Sequence, residues 1–302
     1  MSAPDPIRMD ADFPFPEAEG RPASQEAPAS SPMAYVYGVG RDDGSLAPLV
    51  RTTHGVDGHG VGLVATQGLV ALVSAVPADV FDEAALRHQL EDLDRLEGIA
   101  RAHHAVVDAA FAQAVVLPFR LATVYLDEAR VAAMLVDHHD RFTELLAWLD
   151  GHVELGVKVH ADPESAPPSP QGTPRSAGGP TSPGRAYLQQ RMQQRRGTED
   201  LYRAAAVVAG NVTKMAQQLA RAVVEHRPQQ GDLSGRTGVN IANYAFLVPT
   251  GAEKHFREEV EAAARSASGV EVAVTGPWAP YSFAGSAVDT AKYGDDEGAV
   301  AP

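Results

Sequence analysis

The residues best suited to chemistry in this chain are its eleven histidines. Two doublets, His103-His104 and His138-His139, fall on segments with helical periodicity. Imidazole is both a common zinc ligand and a proton carrier near neutral pH, so such doublets raise metal binding or acid–base work. Adjacent helical residues point about 100° apart, however, so each doublet aims a single imidazole at any common centre. No pair of histidines stands at i, i+4 to add a second ligand. His104 with Asp108 makes an ordinary helical i, i+4 pair, and solvent-facing helix positions account for the rest. There is no cysteine, which removes disulfides, thiolate metal sites and thiol nucleophiles together.

Other reactive constellations are missing. The sequence has no G-x-x-x-x-G-K-[ST] phosphate loop, no G-x-S-x-G nucleophile elbow and no H-E-x-x-H metal helix. Gly58-His59-Gly60-Val61-Gly62 superficially resembles a dinucleotide loop but lacks the third glycine at the needed offset. It leads into a strand, so no helix N-terminus is there to hold a phosphate, and a mobile loop is the expected structure. Arg120 lies between apolar residues in an expected strand, where a lone charge must find a partner or reach solvent. A bridge to an acidic residue such as Glu154 is one reading and contact with a partner protein the other. Arg185, Arg191, Arg195 and Arg196 form a basic cluster at the start of a long helix, read as a solvated face.

The elements that position these residues fall into two folded regions. A first strand is expected around Tyr35 to Val39, then a hairpin in which Val61 to Thr66 and Leu69 to Val76 flank Gln67-Gly68. Helical stepping follows from Asp82 through Leu86, Leu90, Leu93, Leu96, Ala100, Val107 and Phe111, with Gly98 as the expected break. A strand is expected at Val115 to Thr123. The clearest helix opens on the N-cap Asp127 and ends before Gly151, with Val131, Met134, Leu135, His138, Phe142, Leu145, Leu146 and Leu149 on its buried face. In the second region a strand at His152 to His160 precedes a helix from about Arg185 to His226. Leu201, Ala205, Val208, Val212, Met215, Leu219 and Ala222 form a heptad seam along it. A strand at Ile241 to Val248, a helix opened by the capping box Thr250-x-x-Glu253, and a strand at Val270 to Thr275 complete the order β-α-β-α-β. That order predicts an α+β chain of two domains: residues 34–150, a small sheet with helices, and residues 151–285, a ferredoxin-like sheet of altered strand count with one long helix.

Residues 1–33 and 286–302 are read as disordered tails, and Pro163 to Gly184 as an inserted linker, since 17 of its 22 residues are Pro, Gly, Ser or Thr. The net charge is −14, and the two tails carry half of it. Such a balance argues against nucleic acid or an anionic membrane as partner. Acidic residues occupy the N-terminus where a signal peptide needs apolar ones, and no run of 18 apolar residues occurs, which makes a soluble cytoplasmic protein the expectation.

The most improbable string is Gly276-Pro277-Trp278-Ala279-Pro280-Tyr281-Ser282-Phe283, which gathers three aromatics in a chain that is only 6% aromatic. Two prolines stop any helix there and restrict the residues before them. The string resembles the closing signature of the gas vesicle protein F/L (GvpL/GvpF) family, whose usual form has proline where this chain has Ala279. Further segments match the family in order: Tyr35-Val36-Tyr37-Gly38-Val39; Gly68 to Ser74; Leu117-Pro118-Phe119-Arg120-Leu121-Ala122-Thr123, which is similar to its Leu-Pro-x-Arg-(Phe/Leu)-(Gly/Ala)-Thr element; Val153 to Lys158, including Glu154; and Ala186-Tyr187-Leu188. Together they span about residues 34–285, and several motifs in order are far more specific than one.

The resemblance implies a gas vesicle accessory protein that binds the small apolar shell protein and takes part in nucleation or assembly. It implies no enzyme activity and no cofactor, with other gas vesicle accessory proteins as further partners. Leu117, Pro118, Arg120, Thr123, Glu154, Gly276, Pro277, Trp278, Pro280, Tyr281 and Phe283 are the motif residues it singles out, as structural or partner-binding positions. Trp278, Tyr281 and Phe283 are expected to anchor onto their own domain's core. The alternative is a small-molecule or metal-dependent enzyme built on the histidine-rich helices.

Overall fold

The computed structural model describes residues 32–163, 183–228, 238–265 and 268–284. The expected tails and almost all of the expected linker lie outside them. The chain divides into two compact units, one of residues up to Asp150 together with those from Ala279, the other Gly151–Trp278. The second domain therefore ends at Trp278 rather than at residue 285. The closing Ala279-Pro280-Tyr281-Ser282-Phe283 packs with the first unit, because Ala279 is fully buried in that unit's core and Tyr281 packs against it.

The first unit is built on a central strand, β1 (Met33–Arg41), whose burial pattern leaves only its two ends partly exposed. β1 pairs antiparallel with β3 (Leu69–Val76) on one side and with β4 (Val116–Pro118) and β5 (Val124–Tyr125) on the other, and β2 (Gly62–Thr66) pairs with β3. The β2–β3 hairpin turns as its sequence demands, with φ of 50° at Gln67 and 81° at Gly68, the two positive values of a tight two-residue turn. Helices pack around this sheet: α1 (Leu49–Thr52), α2 (Ala78–Phe81), α3 (Glu83–Glu91), α4 (Leu93–Phe111), α5 (Glu128–Asp137) and α6 (His139–Leu149).

Three boundaries in this unit differ from the sequence reading. The helical break falls at Asp92, not Gly98, since the Asp92 carboxylate accepts from the N–H groups of Asp94 and Arg95 at 3.0 and 3.2 Å and so starts a new helix. Leu93, just past that cap, turns outward and is 77% exposed. The helix after Asp127 is capped as expected, by a 2.8 Å bond from the Arg130 N–H, but it breaks at His138, and Phe142, Leu146 and Leu149 continue the buried face on α6. The expected strand at 115–123 is laddered only over Val116–Pro118. Pro118 has no N–H to extend the ladder, and the chain then loops through Ala122 at φ 60°.

The second unit holds β6 (His152–Ala161), α7 (Pro183–Leu219), β7 (Ala222–His226), β8 (Val239–Pro249), α8 (Glu253–Ala264) and β9 (Val270–Trp278). Its sheet runs β7-β8-β6-β9, antiparallel throughout. Each helix thus joins two parallel strands with one antiparallel strand between them, a complete βαββαβ ferredoxin-like arrangement. The altered strand count is corrected by β7. The small-residue seam runs on to Ala222, but α7 ends at Leu219, and the Arg221 N–H already bonds to Leu247 O at 2.7 Å. The β-branched pair Val223-Val224 suits the ladder better than another helical turn.

Along α7, Leu201, Ala205, Val208, Ala209, Val212 and Ala216 are buried, and several of them close on Val159, Ala161 and Ala242 of the sheet. Phe256 and Val260 of α8 are fully buried, with the Phe256 ring 5.3 Å from that of Phe246 on β8. The capping box does not form. Thr250 Oγ1 donates to Gly151 O at 3.1 Å, while Glu253 accepts from the Arg257 guanidinium at 3.1 Å. Burial of one face drives this helix without the cap.

Candidate functional site

In the first unit the motif segments converge on two tyrosine hydroxyls carried by β1. Tyr35 and Tyr37 share one face of the strand, are fully buried, and pack with ring centroids 5.0 Å apart and planes tilted by 44°. The Tyr37 hydroxyl accepts from the Val56 N–H at 2.9 Å and donates to Ser74 Oγ at 2.8 Å, and Ser74 donates onward to Gly60 O at 2.9 Å. This chain pins the Gly55–Gly60 segment to β3. The glycine-rich loop expected to be mobile is fastened instead, with Val56 and Val61 buried beneath it and the Arg95 guanidinium clamped on Asp57. Gly55 must be glycine there, because a Cβ would lie 1.8 Å from the Tyr37 hydroxyl.

Tyr35 does the same for the Leu117–Thr123 motif. Its hydroxyl accepts from the Ala122 N–H at 3.1 Å and donates to His103 Nδ1 at 3.0 Å. His103 Nε2 donates to Phe119 O at 3.1 Å. A carbonyl can only accept, so Nε2 carries the proton and Nδ1 receives the tyrosine's. Burial holds this imidazole neutral, with its pKa pulled down to about 4 against the opposing pull of the Phe119 carbonyl. Burial also pushes the Tyr35 hydroxyl above its ordinary range and raises that of Tyr37.

The motif loop closes on itself and on β1. Thr123 Oγ1 donates to Arg120 O at 2.8 Å, Thr123 O accepts from the Val36 N–H at 2.9 Å, and Phe119 N–H reaches Tyr37 O at 2.8 Å. Gly38 lets β4 approach, since a Cβ there would stand 2.7 Å from Leu117 O. Leu117 and Phe119 are fully buried, and Pro118 and Thr123 are buried beside them. Arg120 is exposed and stands on a loop rather than in the expected strand. Tyr281 brings its ring to 6.0 Å from His104 and 6.5 Å from His103, and Phe283 sits 6.2 Å from Trp148. Pro280, between them and Ala279, is buried.

The remaining motif residues belong to the second unit. Glu154 on β6 is 9% exposed and stands opposite Trp278 on β9. Gly276, at φ 100°, carries the strand past that point, where a Cβ would meet Glu154 O at 2.6 Å. The Arg257 guanidinium donates to Gly276 O at 2.7 Å and to Val274 O at 3.4 Å. Trp278 is 38% exposed and Pro277 is exposed, which corrects the expectation of a buried indole. β9 is an edge strand, and Trp278 at its end has neighbours on fewer sides than a central residue.

The histidine doublets separate. His103 is spent in the core, while His104, partly exposed, pairs with Asp108 at 3.1 Å. His139 contacts Asp140 at 3.0 Å and donates to Gln67 O at 3.0 Å. Among the described residues no group of three or more histidine and carboxylate side chains is placed to hold a metal ion. Sequence reasoning missed the structural roles of His103, Ser74 and Arg257. A signal for His103 was present, since it stands four residues from both Ile99 and Val107 on the buried stripe of α4. In chemical terms the convergence is a set of neutral hydrogen-bonding groups, each engaged by a neighbour, that fixes loops onto a sheet.

Comparison with known proteins agrees with the motif reading. The family described as "Gas vesicle synthesis protein GvpL/GvpF" matches residues 33–285. The chain is 43% identical to gas vesicle protein L of Streptomyces sp. (strain CB03234), over 84% of this chain and 94% of that one. It is 28% identical to gas vesicle protein F of the same strain, over 82% and 98%. It is 27% identical to gas vesicle protein L1 of Halobacterium salinarum (strain ATCC 700922 / JCM 11081 / NRC-1), over 90% and 96%. The fold is similar to the crystal structure of GvpF from Anabaena sp. PCC7120, with a TM-score of 0.59 at 22% identity over 84% of this chain and 96% of that one. GvpF from Microcystis aeruginosa gives a TM-score of 0.54 at 21% identity, over 83% and 98%. With its motifs in place and its sequence matched over most of its length, the chain belongs to the gas vesicle synthesis protein GvpL/GvpF family.

Proposed function

We propose that this protein is a non-enzymatic assembly factor of the gas vesicle, binding the apolar shell protein directly and taking part in nucleation or formation of the vesicle. The observation that carries the reading is how the motif residues are used. Leu117, Pro118, Thr123, Glu154, Pro280 and Phe283 are buried, while Arg120, Pro277 and Trp278 are at least partly exposed. Family motifs spent on architecture, with a few side chains left outward, suit a protein whose surface does the work. The acidic balance of the whole chain resists aggregation beside a self-associating apolar partner. No helix among the described residues is long and apolar enough to cross a membrane. The place of action in this reading is the cytoplasm and the growing vesicle, and other gas vesicle accessory proteins are further partners.

Co-expression with the shell protein, followed by affinity capture of this chain in the presence of chelator, tests the reading. Shell protein should be retained without added metal or nucleotide. Retention only when metal or nucleotide is supplied, or none under any condition, would overturn it.

A further inference from the structure

The open backbone edges of the two sheets are not equivalent. β9 is closed. Arg257 reaches across from α8 and donates to Val274 O and Gly276 O, the outward carbonyls of that edge strand, and Pro277 beside them has no N–H to offer. In the first unit β4 is three residues long and ends in Pro118, and β5 is two residues long. β2 lies alongside α5, which packs against it. For β7, the extensive packing among the described residues is with β8.

None of the five residues of Ala222–His226 is buried. Val223 and Val224, being consecutive, point to opposite faces of the sheet, and each is partly exposed. β8 continues the same edge beyond the last β7 pair, His226 with Asn243, and Val239 near its start is 44% exposed. An uncapped edge with β-branched side chains on both faces is the kind of surface that takes up another strand. The strand that fits must itself be apolar at consecutive positions, so as to give both valines a neighbour. A strand that is polar on one face, as on most antiparallel sheets, would leave one of them wet.

We infer that the β7 edge is the docking surface for the apolar partner, which adds an extended segment, apolar on both faces, to the second unit's sheet beside Val223 and Val224, while Arg257 keeps β9 from pairing. The inference rests on the reading that this chain binds the apolar shell protein, and it specifies where.

The test is capture of co-expressed shell protein by four full-length chains: wild type, Val223→Lys, Val224→Lys, and Leu63→Lys on β2. Melting curves establish that each variant folds. Either β7 lysine should lower retention about tenfold or more, while Leu63→Lys retains wild-type levels. Hydrogen exchange on the wild-type complex, which needs no variant, should show amides of 222–226 slowed on binding. Undiminished retention by both β7 variants, with loss in Leu63→Lys or with no change in exchange at 222–226, overturns the β7 assignment and leaves the binding reading standing. A wild-type chain that retains nothing overturns both. Sedimentation of the chain alone adds a further check, since a homodimer dissolved by Val224→Lys would show that a second copy covers the edge and would overturn the assignment.

Discussion

Acidification should loosen the first unit through one residue, His103. Its imidazole is 3% exposed, and its pKa stands at about 4 against an ordinary value of 6.5. Between those values the unfolded chain binds a proton that the folded chain refuses, so stability is full above about pH 6.5 and falls as pH drops toward about 4. The gap between the two pKa values, at about 1.4 kcal/mol per unit, sets a ceiling of about 3 kcal/mol. By pH 5 about 2 kcal/mol of it is gone. The groups that face the ring are the Tyr35 hydroxyl, the Phe119 carbonyl, His104 and the rings of Tyr37 and Tyr281, and no carboxylate is among these contacts to favour the charged form.

The assay is urea unfolding at pH 7 and pH 5 of the Trp278→Phe protein, in which Trp148 alone reports the first unit, with and without His103→Gln. Other titrations are common to both proteins and cancel. The stability advantage of histidine over glutamine should shrink by about 2 kcal/mol on going to pH 5. An advantage that stays constant with pH, or a His103 ring titrating near 6.5 by NMR in the folded protein, would refute the reasoning.

Three further outcomes are expected. Tyr35→Phe removes the acceptor for the Ala122 N–H and the donor to His103 Nδ1 while keeping the ring, and should lower stability by about 1 to 3 kcal/mol in urea unfolding followed by Trp148 fluorescence, a loss below about 0.5 kcal/mol contradicting the clamp. Gly276→Ala places a Cβ 2.6 Å from Glu154 O at a φ of 100° and should lower the melting temperature of the second unit by several degrees; an unchanged melt would mean that β9 can shift away. Trp278→Ala should cost less than half of what Phe246→Ala costs, the latter being about 3 to 5 kcal/mol for a fully buried aromatic, and equal losses in urea unfolding would show the indole to be a core group.

Local chemistry made much of this fold legible. Gln67-Gly68 between two β-rich runs demands the turn that forms, Asp127 caps the helix it precedes, and the spacing of Leu201, Ala205, Val208 and Val212 marks the buried stripe of α7. The misses arise where two local signals compete and tertiary contacts decide. Ala222 extends a seven-residue pattern by size alone, yet Val223 and Val224 join a ladder whose other strand lies some twenty residues on in the chain. Asp92 and Gly98 both interrupt helices, but only an aspartate can satisfy the N–H groups of the helix that follows, whereas Gly98 sits exposed inside α4. Thr250 and Glu253 have the spacing of a capping box, and each finds a stronger partner elsewhere in its unit. The motif residues were legible as a set through the family resemblance. Their division into buried clamps and outward side chains was not, because Trp278 and Phe283 look alike in sequence while one ends an edge strand and the other packs into a core.

The most direct measurement is the affinity of residues 33–285, lacking both acidic tails, for the shell protein across a salt series with chelator present. Binding by apolar burial and backbone pairing should persist in about 0.5 M salt, where the Debye length is only ~4 Å, with a Kd within about threefold of that at low salt. Affinity that collapses with salt, or that is lost with the tails, would contradict the account.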